Sequence, residues 1–123
     1  MIPNYWKAFV ESEDFEEIDF EIPEEKDLSG IGADLSIMSE DHILDEMNKA
    51  HPGIIVKKDG FVAVGSCLTG SGDPYFININ DGKDGPLYRI YHDSVYEGDY
   101  EREAAVVKVL ESYTELKNYE LED

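Results

Sequence analysis

The chain has 123 residues, 41% of them apolar and 11% aromatic, which suffices for one modest hydrophobic core and excludes wholesale disorder. Its 29 acidic side chains against 10 basic ones give a formal charge of −19. Such a field repels nucleic acid and anionic membrane surfaces, both of which recruit Lys and Arg, and it steers basic proteins toward the chain while keeping it dispersed.

Residues Met1 to Lys7 lack a basic region followed by an apolar core, and no stretch approaches the roughly 18 apolar residues of a membrane span. A single cysteine, Cys67, cannot form an internal disulfide, and its place in the apolar run from Phe61 to Leu68 reads as a buried structural thiol. These features predict one soluble, cytoplasmic domain over residues 1–123.

Pro3 opens a short amphipathic helix in which Tyr5, Trp6, Phe9 and Val10 recur at helical spacing. The densest acidic stretch follows, from Glu11 to Asp27, and Ile18, Phe20 and Ile22 alternate with carboxylates inside it. That period of two predicts a strand with one buried and one acidic face, ended by Pro23. Leu28 to Gly32 is a turn-rich connector, and Ala33 to Met38 a short strand. Ser39 caps a helix running to about Ala50, with Ile43, Leu44 and Met47 on one face and Glu40 and Asp41 at its N-terminus. His51-Pro52-Gly53 stops it.

The centre reads as a β-meander. Ile54 to Val56 passes through Lys57-Lys58-Asp59-Gly60, a hairpin cue, into a strand from Phe61 to Val64. Thr69 to Pro74 forms the next loop, Tyr75 to Ile79 a strand, Asn80 to Gly85 a hairpin loop, and Leu87 to Tyr91 the returning strand. From about Tyr100, the positions Val106, Val107, Leu110, Tyr113 and Leu116 predict a C-terminal amphipathic helix.

No pattern of catalytic or metal-binding residues emerges. His92-Asp93 is the most enzyme-like pair, but no serine lies in a nucleophile-elbow motif, and a hydrogen-bonded turn explains the pair. His42, His51 and His92 are not at zinc-ligand spacing. Asn80 to Gly85 fails as a calcium loop, because aligning Gly85 with the invariant glycine puts Tyr91 where a bidentate Glu belongs. Gly70-Ser71-Gly72 lacks the third glycine of a phosphate loop and runs into Asp73-Pro74. No cofactor or metal is expected. The acidic run admits two readings: one solvated strand face, or carboxylates at regular intervals on a strand that imitate a phosphate backbone and fit a nuclease's basic cleft.

Phe61-Val62-Ala63-Val64-Gly65, Gly70-Ser71-Gly72-Asp73-Pro74-Tyr75-Phe76-Ile77-Asn78 and Leu87-Tyr88-Arg89-Ile90-Tyr91-His92-Asp93 occur in that order. Over about residues 54–118 this set resembles the SUKH superfamily; the family's opening helix, with its Leu-Pro and Asn-Gly signals, has no clear copy here. The resemblance implies an α+β fold with a curved, mostly antiparallel sheet flanked by helices, and a C-terminal helix. It also implies that the chain is related to bacterial immunity proteins, which neutralise a cognate toxin, often a nuclease, and to a fungal regulator of cell-wall assembly. Gly72, Asp73, Pro74, His92 and Asp93 match the family pattern and read as fold-forming: Gly72 for a special backbone conformation, Asp73 to cap the turn, Pro74 to start a strand, His92 and Asp93 to end one.

The resulting expectation is a non-enzymatic protein-binding domain that occludes a basic protein toxin through Glu11, Glu13, Asp14, Glu16, Glu17, Glu24 and Glu25. The alternative is a regulatory or scaffolding module of the same fold, self-associating through exposed Trp6 and Phe9.

Overall fold

The first helix of the computed structural model, which describes residues 2–69, 72–96 and 99–121, follows directly on Pro3. Proline fixes φ near the value the helix needs, and here it is −64°. Helix α1 (Asn4–Glu13) ends when Asp14 turns left-handed at φ 57°, so that the N–H groups of Asp14 and Phe15 return to the carbonyls of Glu11 and Val10. That reversal drops Phe15 into the core and leads to strand β1 (Asp19–Ile22), where Phe20 and Ile22 are buried and Asp19 and Glu21 exposed. A loop carries the chain to β2 (Ala33–Ile37), and the Ser39 hydroxyl, accepting from the His42 N–H, caps α2 (Glu40–Lys49).

A one-turn helix α3 (Gly53–Val56) and a 3-10 turn (Lys57–Asp59) precede β3 (Phe61–Cys67). Then come β4 (Tyr75–Asn78), β5 (Leu87–Ile90), the short pair β6 (Val95–Tyr96) and β7 (Asp99–Tyr100), the turn α4 (Arg102–Ala105), and β8 (Val106–Leu110). Six strands form one antiparallel sheet in the order β1-β2-β3-β4-β5-β8, curled into a half-barrel with helices against it, so the fold is α+β. Register shifts between Ala63 and Gly65 and between Leu87 and Tyr88 are bulges of the kind that bend strands and sharpen their twist.

The chain covers its own sheet edge. After β8 a 3-10 segment (Tyr113–Asn118) brings the backbone back to β1: the Glu21 N–H donates to the Tyr119 carbonyl and the Leu121 N–H to Asp19, both at 3.0 Å. Edge strands left open invite pairing with other chains, and these contacts occupy β1's outer side. Inside, Phe9, Phe15, Phe20 and Tyr113 form a chain of ring contacts at 4.9–5.7 Å, and Trp6 meets Tyr113 edge-on at 5.2 Å. This cluster pins α1 across one end of the sheet, each large buried side chain contributing about 1.5–3 kcal/mol.

Several expectations are corrected. Lys57-Lys58-Asp59-Gly60 is not a hairpin: Gly60, at φ 93°, ends the 3-10 turn after α3, the other common use of a left-handed glycine. The C-terminal helix is replaced by β8 and the following 3-10 segment, because Val106, Val107 and Val109 suit a strand and β5 offers them an open edge. Leu44 faces solvent rather than sharing the buried face of Ile43 and Met47. Trp6 is 1% exposed and Phe9 half-buried, so neither forms an exposed self-association patch. Cys67 is half-buried, its sulfur 3.1 Å from Thr69 Oγ1, rather than sealed in the core.

Candidate functional site

The acidic stretch does not lie on one strand. None of its seven candidate residues is in β1: Glu11 and Glu13 are on α1, Asp14 at its C-terminal reversal, Glu16 and Glu17 in the turn that follows, and Glu24 and Glu25 in the turn after β1. All seven are exposed. Because β1 and β2 run antiparallel, with Asp19 opposite Ser36 and Ile22 opposite Ala33, the two groups of carboxylates fall at opposite ends of that hairpin.

At one end, α1, the turn after it and the start of α2 enclose a groove of about 410 Å³. Trp6, Val10, Met38 and Ile43 line its depth; Trp6, Met38 and Ile43 are core residues and Val10 is half-buried. Glu11, Asp14, Glu16 and Glu40 stand around it as exposed side chains. Lys7 is the cation lining it among the described residues, with its ammonium 3.8 Å from Glu40; both side chains are exposed, so the pair adds little stability. The α1 reversal makes this geometry, since the left-handed Asp14 turns the carboxylates of 14 and 16 back toward the N-terminus of α2.

At the other end, a groove of about 430 Å³ is lined by Glu21, Glu24 and Asp34 together with Ile31, Thr69 and Arg89. Arg89 is the centre of a buried polar network that the sequence reading missed. Its Nη1 lies 2.5 Å from Ser29 Oγ and 3.4 Å from Asp27 Oδ2, and its Nη2 donates to the Gly32 carbonyl at 2.7 Å and the Tyr75 hydroxyl at 2.9 Å. Ser29 in turn donates to Asp27. Asp27 and Arg89 are 4% and 3% exposed, and the network ties the loop of residues 23–32 to the sheet. The only hint in the sequence was an arginine in an otherwise apolar strand.

The five motif residues lie apart from both grooves. Gly72 has φ 73° and Pro74 immediately precedes β4, while Gly70 and Ser71 lie outside the described residues. Asp73, 7% exposed, accepts from both the backbone and the ring of His92. The other ring nitrogen of His92 is 3.1 Å from Asp93, whose side chain is 91% exposed on a one-turn 3-10 segment. The adjacent side chains thus meet. They meet on a surface turn.

A third groove is lined by Lys58, Asp59, Asn80, Tyr100 and Arg102. There the Tyr100 hydroxyl donates to Asp59 at 2.5 Å, and burial, reinforced by that hydrogen bond, pushes the phenol's pKa up. Among the described residues no group of three or more His, Cys, Asp or Glu side chains is placed to hold a metal ion, and no helix is long and apolar enough to cross a membrane. No family model, curated protein or solved structure matches the chain.

Proposed function

We propose that this chain is a non-enzymatic protein-binding domain that captures a basic protein, and that it serves as an immunity protein, occluding the basic cleft of a toxin of the nuclease class. The observation that supports it is the groove between α1 and α2: Glu11, Asp14 and Glu16 converge there with Glu40 over an apolar floor. Carboxylates on exposed rims speed encounter with a basic partner, while the apolar floor supplies the short-range contact that holds it. The resemblance to the SUKH superfamily gives the toxin-neutralising role, and the overall charge of −19 agrees with it. No turnover, cofactor or metal enters this reading.

Co-expression with a toxin encoded beside the gene tests it. Rescue of growth, and a complex whose association slows about tenfold or more between low and physiological salt, are the expected results. Reversing Glu11, Glu16 and Glu24 to Lys should slow association further and weaken rescue. Binding with an on-rate indifferent to salt and to these reversals would remove the acidic face from the interface. A partner captured without any rescue from a toxin would favour the regulatory module instead.

A further inference from the structure

We infer that the groove between α1 and α2 seats one long basic side chain, a lysine or arginine, projecting from the partner. This rests on the reading of the chain as a protein-binding domain and names the chemistry the groove selects. Lysine and arginine combine an aliphatic stem with a terminal cation, and each part has its counterpart here. The stem lies along half-buried Val10, with Trp6 and Met38 packed beneath it. The cation reaches the rim, where Asp14, Glu16 and Glu40 offer carboxylate oxygens for charge-assisted hydrogen bonds.

Charge decides against the other occupants. Four carboxylates and one ammonium line the groove, so a phosphate or carboxylate would be repelled. A purely apolar side chain would cover the floor but give the rim nothing to pair with. One ammonium already stands beside the rim, that of Lys7 at 3.8 Å from Glu40. At about 410 Å³ the groove is near the lower end of the roughly 300–1,000 Å³ of ligand sites, a size for one side chain and its flanking backbone. The second groove is a poorer match, because three carboxylates line it against four here, and each groove already has one cation of its own.

The chain's only tryptophan is on this floor, so Trp6 is a local reporter. The experiment titrates the unmodified protein with three acetylated, amidated tripeptides carrying arginine, lysine or norleucine between two alanines, and follows the Trp6 indole N–H resonance. Saturable shifts with arginine or lysine, and binding about tenfold weaker with norleucine, are expected. Asp14→Asn combined with Glu16→Gln and Glu40→Gln should weaken the basic tripeptides about tenfold; all three side chains are exposed, so the fold is kept, and Glu103→Gln, an equally exposed change on α4, should change nothing. Equal binding of norleucine and lysine overturns the inference. So does salt-dependent binding of poly-arginine that leaves Trp6 unmoved, an outcome that keeps the wider reading. If neither the tripeptides nor poly-arginine binds, both readings fall.

Discussion

A single oxygen of Asp73 receives two donors from His92: its Oδ1 lies 2.9 Å from the backbone nitrogen and 2.5 Å from ring Nδ1. An ionised carboxylate only accepts, so the contact places a proton on Nδ1 and fixes the ring's orientation. It also ties the loop before β4 to the end of β5, two segments 19 positions apart in the chain. Asp73→Ala leaves a part-buried backbone N–H unsatisfied and should cost about 2–3 kcal/mol in urea unfolding. Asp73→Asn keeps an oxygen for that N–H and should cost about half as much. Equal losses would show that the backbone bond is not what matters.

The Arg89 network should be unforgiving to single changes. Removing the carboxylate with Asp27→Ala strands a guanidinium that is 3% exposed, at a cost of about 3–5 kcal/mol. Asp27→Leu combined with Arg89→Met removes both charges and should cost clearly less than the two single changes added together. Additive losses in denaturant titrations would argue against direct coupling.

Glu17 holds φ 62°, a left-handed conformation that disfavours residues carrying a Cβ, and its side chain is exposed. Glu17→Gly should therefore raise stability by about 1 kcal/mol, whereas Glu17→Ala should not. Since Glu17 lines neither acidic groove, binding of the basic tripeptides should be unchanged in both. A lower midpoint for Glu17→Gly than for the parent would contradict the strain argument.

The tyrosines predict alkaline lability. Burial, with a 2.7 Å hydrogen bond to Asp81, pushes the Tyr88 phenol up to about 12, and burial also raises Tyr5, Tyr75, Tyr100 and Tyr113. A pKa raised in the folded state means that the unfolded chain loses its proton first. This contribution to stability is therefore intact below about pH 10, the phenol's ordinary value, and is lost as pH climbs through 12. Phenolate absorbance and far-UV circular dichroism should change together above about pH 10. Ionisation of all eight tyrosines in a chain that keeps its native spectrum would show these rings to be freely solvated.

Elements with strong local signals were legible in the sequence. Pro3 before α1, the alternation around Phe20 and Ile22, Ser39 before α2, and the β3-β4-β5 meander each act over a few residues, so the structure reproduces them. The errors came where a local cue has two uses. Asp59-Gly60 serves a helix end as readily as a hairpin, and Val106 to Leu116 satisfies a helical spacing although its valines find a partner in β5.

The acidic groove shows the same division. Its carboxylates could be counted in advance, and their abundance pointed to a basic partner. Which of them converge could not be read, because Glu40 and Met38 join Glu11, Asp14 and Glu16 only after β1 and β2 fold back and α1 docks through Trp6 and Tyr113. The burial of Arg89 was equally invisible, since its partners Asp27, Ser29 and Gly32 lie about 60 residues earlier. By itself, then, the sequence determined the charge, the class of fold and most elements, all of which depend on residue type and near-neighbour spacing. The tertiary structure alone decided how the acidic stretch divides, which carboxylates share a groove, and what closes the sheet, because those depend on contacts between distant segments whose closure entropy no local pattern records.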